Sequence, residues 1–199
     1  MKHAALGFRA HSGWTAMVAL SLDGRSPAVL LRARPHLVRT FSFEFRQPYH
    51  TAEKGPPDDA RVFIRRVRSE ARSLAYDAVH SAQKTIQAEG YRLEHCGLLV
   101  ASGRTLPDLT HILASHALIH AADGELFREA LLHASERCRC RVFTATEKGI
   151  LDNASQYLRK PRDEIVRILA SLGSAVGPPW SQDEKLAALV AWLSLMRGD

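Results

Sequence analysis

The chain has 199 residues, 46% hydrophobic and 24% charged, a balance that builds one globular core. No run approaches the ~18 uninterrupted apolar residues of a membrane-spanning helix, and Met1-Lys2-His3 leads into an apolar run broken by Arg9 and His11, unlike a secretory signal. The net charge of +6 is unevenly placed: residues 1–72 hold 13 Lys/Arg against 6 Asp/Glu, residues 73–199 hold 14 against 15, and residues 1–22 contain no carboxylate. That excess leaves nucleic acid or another polyanion open as a partner. Three cysteines cannot all pair with one another, and Cys138-Arg-Cys140 has neither zinc-ribbon nor CxxC redox spacing; a reducing cytoplasm is the expected compartment.

The first 50 residues read as strands. Ala4–Arg9 is short and apolar, His11-Ser12-Gly13 is a turn, and Trp14–Leu22 is rich in β-branched and aromatic residues. Asp23-Gly24 is a hairpin dipeptide leading to a third run, Ala28–Val38, in which Pro35 predicts an edge or a bulge. Phe41-Ser-Phe-Glu-Phe45 alternates with period two and predicts an extension of the same sheet. After the loop Lys54-Gly-Pro-Pro-Asp-Asp59, residues 60–89 lack Pro and Gly. Phe63, Val67, Leu74, Ala78, Ala82 and Ile86 recur there at helical spacing, and Gly90 is the terminator.

Cys96–Ala101 is a continuous apolar run, as in a buried parallel strand, followed by the loop Ser102-Gly-Arg-Thr105. A helical region from about Pro107 to Cys138 is expected to break near Asp123-Gly124, and Arg141–Ala145 is another short strand. Three helices follow, near Glu147–Leu158, Pro161–Leu172 and Gln182–Met196. The last has Ser181 and Glu184 in capping-box register and Leu186, Leu189, Val190, Leu193 and Met196 as its apolar stripe; Trp180 precedes it as a hydrophobic staple. The order β-β-β-(β)-α-β-α-β-α-α predicts an α/β mixed sheet in a single domain over 1–199: a β-rich start (1–50), a long helix (58–90), a βαβ part (91–146) and a helical C-terminal part (147–199).

That order, with the first hairpin, resembles the ribonuclease H-like superfamily, which includes the RuvC-type Holliday-junction resolvases and, more distantly, the actin-like ATPases. Members often open with Gly-x-Asp-x-Gly-Ser-x-x-Thr; here Gly7-Phe-Arg-Ala-His-Ser-Gly-Trp-Thr15 keeps Gly7, Ser12 and Thr15. The resemblance implies a ribonuclease H-like fold and also marks what is missing. The metal-binding Asp of the first strand falls on Arg9, the turn Gly on His11, and the acid after the fourth core strand on Ala101 or Ser102. Of the two acids three residues apart in the last helix, Asp183 is kept and Leu186 stands at the second place. Two-metal hydrolysis needs several carboxylates to hold cations about 4 Å apart. Arg9 inverts that electrostatics, so nuclease or resolvase chemistry is not expected, and no motif calls for a cofactor.

Three constellations remain. Arg9, His11 and Ser12, with Ser102, Arg104 and Asp183, lie where strand-end loops of an α/β sheet bind ligands and could hold an anion. The alternative is that Arg9 pairs with a structural carboxylate, Asp183 itself. Arg61, Arg65, Arg68 and Arg72 lie along one helix face and could track a phosphate backbone, or simply face water. His116 and His120, at i and i+4, have the spacing of zinc ligands but lack the Glu of HExxH, with Asp123, Glu125 and Glu129 nearby; solvated helix histidines are the alternative. Cys96 reads as a core residue. The sequence thus describes a non-catalytic binding module for nucleic acid or a phosphorylated ligand. The alternatives are an enzyme with His11 as acid/base and Arg9 or Arg104 holding an anionic substrate, or an interaction subunit.

Overall fold

The computed structural model describes residues 2–101 and 105–197. Strands β1 (Lys2–His11), β2 (Trp14–Asp23) and β3 (Ser26–Ala33) form an antiparallel meander, and β4 (Tyr91–Val100) and β5 (Arg141–Thr146) add in parallel, giving the order β3-β2-β1-β4-β5. The two tight turns rest on Gly13 and Gly24, both at positive φ. The parallel strands are joined by helices: α3 (Pro57–Ala88) precedes β4, and α4 (Leu109–Leu113) and α5 (His116–Arg137) precede β5. Then come α6 (Ile150–Leu158), α7 (Arg162–Val176) and α8 (Gln182–Met196).

Period-two alternation on the central strand divides the core. Ala4, Leu6 and Phe8 face α3 and α5, whereas Ala5 faces α8 with Val18 and Leu20. Helix α8 lies directly on the sheet because β1 and β4 present glycines to it. A Cβ on Gly7 would stand 1.9 Å from the Ala187 carbonyl oxygen, and one on Gly97 would stand 2.5 Å from that of Val190. The helix is consequently buried on all sides from Leu186 to Leu195, where one apolar stripe was expected. The Ser181–Glu184 capping box forms as its spacing predicts. Trp180 is no staple to α8: its indole N–H donates to the Leu169 carbonyl at 2.7 Å and its ring fills the space over Gly173.

Three local expectations are overturned. Residues 41–45 do not extend the sheet. The chain leaves β3 at Ala33, and Phe43–Arg46 coils into α1, followed at Pro48 by α2 (Pro48–Ala52). Phe41 and Phe43 are exposed while Phe45 packs on Phe63, so the three rings do not share one buried face as a strand would require. The expected α3 stripe holds only in part: Val67, Ala82 and Ile86 are in the core, but with Ala60, Ile64, Ala71, Ala75 and Val79, while Phe63, Leu74 and Ala78 lie at the margin of that face, where α3 packs against α5 through alanines. Finally, α5 runs unbroken through Asp123-Gly124, with the Arg128 guanidinium lying over Gly124; the break falls earlier, between α4 and α5. Among the described residues no helix is long and apolar enough to cross a membrane.

Candidate functional site

Parallel pairing of β1, β4 and β5 brings their C-terminal ends to one edge, and α8 begins there. Arg9 near the end of β1 is gripped from both sides. Its Nε and Nη2 donate to the Glu147 carboxylate at 3.1 and 2.8 Å, and its Nη1 donates to Asp183 in the first turn of α8. Glu147 foremost, then Asp183, holds the guanidinium above its ordinary range against the opposing cost of burial. His11 Nε2 lies 2.9 Å from the same Asp183 oxygen, and its ring stacks on Trp14 with centroids 4.3 Å apart. Next to Asp183 in the first turn of α8, the fully buried Glu184 accepts from Arg34 Nε at 2.5 Å and from the Ser181 hydroxyl and backbone N–H at 2.8 Å each. Burial pushes its carboxyl up, but Arg34 and Ser181 outweigh that and hold it at about 2.

The strand end is therefore a self-neutralising cluster. Glu147 and Arg34 are members the sequence did not single out; the signal for Glu147 is an acid one residue past a parallel strand. Ser12 takes part only through its carbonyl, which accepts from Arg46 Nε at 3.1 Å. Ser102 and Arg104 lie outside the described residues. Thr15, kept from the family pattern, closes the hairpin by donating to the Arg9 carbonyl at 3.0 Å. A divalent-metal pair does not fit these residues: a guanidinium occupies the centre, and the Glu147 and Asp183 carboxylates are spent on it. The cleft that opens at this edge lies between β4, β5 and α5. It is lined by Val100, Ala101, Thr144, Glu125 and Arg128 among others, with Arg128 paired to Glu125 at 2.9 Å.

The arginine row on α3 divides in two. Arg72 pairs with Glu129, and Arg68 reaches Glu129 at 3.7 Å and the Tyr49 hydroxyl at 3.1 Å. Arg61 and Arg65, nearer the helix start, are exposed and have no acid partner among the described residues. The α1 segment, where period two predicted a strand, meets α3 at Phe63 and Arg66. Phe41 is 44% and Phe43 59% exposed; Arg46 lies over Phe41 at 4.5 Å, and Arg66 lies over Phe63 at 5.4 Å and Phe45 at 5.8 Å. Among the described residues this corner thus carries Arg61 and Arg65 without acid partners and sets Arg46 and Arg66 over aromatic rings.

His116 and His120 meet on α5, their Nε2 atoms 3.0 Å apart. A third ring joins them from α2: His50 packs edge-on against both, with centroids at 5.3 and 4.4 Å. Glu125 and Glu129 are engaged by Arg128 and Arg72 and stand aside. The three cysteines are free and buried. Cys96 hydrogen-bonds to Cys140, and that bond together with burial pushes its thiol well above the ordinary range, as for a core residue and not a nucleophile.

The five-stranded mixed sheet, with α3 and α5 on one face and α8 on the other, is a ribonuclease H-like fold. The chain is similar in structure to RuvC of Thermus thermophilus, with a TM-score of 0.56 over 98% of this chain and 95% of that one, at 9% identity. The same protein in complex with a Holliday junction substrate gives 0.57, again at 9% identity, covering 98% of this chain and 94% of that one. No protein-family model matches the sequence, and neither does any curated protein.

Proposed function

We propose that the chain is a non-catalytic ribonuclease H-like module that binds nucleic acid along the corner made by α1 and the first half of α3. The observation that carries this reading is that Arg61, Arg65 and Arg66 at the start of α3 are exposed with no acid partner among the described residues, while α1, packed on α3 through Phe45 and Phe63, leaves Phe41 and Phe43 exposed. Guanidinium groups without an acid partner release counterions when they meet phosphates, and aromatic faces stack bases without regard to sequence. Asp58 and Asp59 in the same region occupy the first turn of α3, where the helix dipole favours carboxylates. The non-catalytic part rests on Arg9, which stands where the resolvase pattern has its acid. A solved RuvC bound to a Holliday junction substrate supports nucleic acid as the ligand class.

The test is fluorescence anisotropy of the full chain with labelled single-stranded and duplex DNA over a salt series. We expect affinity to fall steeply with salt, and the slope of log K against log salt to flatten by about 2 in Arg61→Ala/Arg65→Ala. The DNA stays intact when magnesium is added. Absence of binding at low salt, or a slope unchanged in the double variant, overturns the reading.

A further inference from the structure

Outside the strand end and the basic corner, one cluster has the chemistry of a ligand site, and it stands independently of the nucleic-acid reading. His50, His116 and His120 each offer a ring nitrogen, and the three nitrogens lie within 4.8 Å of one another. Behind His50 sits Asp123, only 3% exposed in a helix that is otherwise lined there by apolar residues. Its Oδ1 accepts from the Tyr49 backbone N–H at 2.8 Å and its Oδ2 lies 2.5 Å from His50 Nδ1. A carboxylate on Nδ1 places the ring proton there, leaving the His50 Nε2 lone pair free to face the other two rings.

We propose that His50, His116 and His120 form a three-histidine site for a zinc-class divalent transition metal, with Asp123 as the carboxylate that orients His50. Metal-ligating histidines characteristically donate their second ring N–H to such a carboxylate. Imidazole nitrogens at about 2.0–2.1 Å from a tetrahedral ion lie roughly 3.3 Å apart. His116 and His120 are already near that separation at 3.0 Å, and rotation of the two exposed rings closes the remainder. The i, i+4 spacing on α5 supplies two ligands from one rigid face, and α2, held to α5 through Asp123, supplies the third. Because His116 and His120 are exposed, the fourth position faces solvent and takes a water molecule, the arrangement of three protein ligands plus water found in catalytic zinc sites. An all-nitrogen set favours zinc, cobalt, nickel or copper over magnesium or calcium, which prefer oxygen.

The experiment uses the full chain without a polyhistidine tag, stripped with a chelator, reloaded with zinc chloride, dialysed and assayed for bound metal. One zinc per chain is expected, with cobalt(II) giving the visible absorption of a tetrahedral site. Because His116 and His120 are exposed, His116→Ala/His120→Ala is expected to fold, as its circular dichroism would report, while losing zinc and the cobalt bands. His50→Ala should lose the bands as well, and Asp123→Asn should weaken zinc binding 10–100-fold. No retained zinc in the parent chain, or zinc retained equally by the folded double variant (held, for instance, by Cys138 and Cys140), overturns the proposal.

Discussion

The strand end and the α1–α3 corner hold the same residue type to opposite effect. At the strand end Arg9 and Arg34 are enclosed by Glu147, Asp183 and Glu184, so their charge is spent inside the molecule. At the corner Arg61 and Arg65 have no such partner among the described residues, and Phe41 and Phe43 are open to solvent. The strand end is where this fold would be searched first for chemistry, yet it does the work of a clasp between the sheet and α8. The strand end of a fold and the place where charge is available are separate properties, and here they do not coincide.

The most severe way to break the clasp is through the glycine beneath it. Gly7→Ala drives a Cβ to 1.9 Å from the Ala187 carbonyl, forces α8 off the sheet and takes Asp183 from Arg9. A loss of at least about 4 kcal/mol, or failure to fold, is expected by urea denaturation. Next is Glu184→Gln, which removes a buried carboxylate held at about 2 and should cost about 2–3 kcal/mol at neutral pH, allowing for the solvent around Arg34. The sign follows from the depressed value. The stability Glu184 lends is complete above its unfolded value of 4.5 and is lost as pH falls through about 2, so parent and variant should converge in acid. If the gap between their denaturation midpoints is the same at pH 3 and pH 7, the ionic clasp is not what α8 depends on.

The corner is sharpened by smaller changes. Phe43→Ala removes an exposed ring, so stability should hold while single-stranded affinity drops by about 1–3 kcal/mol, duplex affinity less. The smallest expected effect is the most telling: Arg9→Ala should cost about 1–2 kcal/mol of stability by freeing Asp183 and Glu147, and leave DNA affinity and its salt slope unchanged. A slope that falls with Arg9→Ala would return the binding surface to the strand end and erase the distinction between the two regions.

Much of this molecule was legible residue by residue. Asp23-Gly24, the uninterrupted 60–89 segment, the apolar Cys96 strand and the Ser181–Glu184 box each specify local structure through turn chemistry, periodicity or capping, which act over a few residues. Phe41–Phe45 misled for the same reason. Period two is a local pattern, but a strand also needs a partner edge, and the chain's pairing with the start of β2 ends at Pro35–Leu37, before this segment begins. Helical spacing placed Val67, Ala82 and Ile86 of the α3 stripe correctly, whereas packing against α5 set the exact face and left Phe63, Leu74 and Ala78 at its margin.

The sequence by itself determined the order of the five sheet strands and of the long helices between and after them, the ribonuclease H-like topology, and the replacement of the expected first-strand acid by Arg9, because these depend on residue type and spacing along the chain. Tertiary structure alone decided which charges remain available. Glu147 meets Arg9 from 138 positions away, Glu129 meets Arg72 from 57, and His50 meets His120 across two helices. An ion pair or a ligand set is a statement about distance in space. Only the packing of β5, α5 and α2 against the rest brings those side chains within reach.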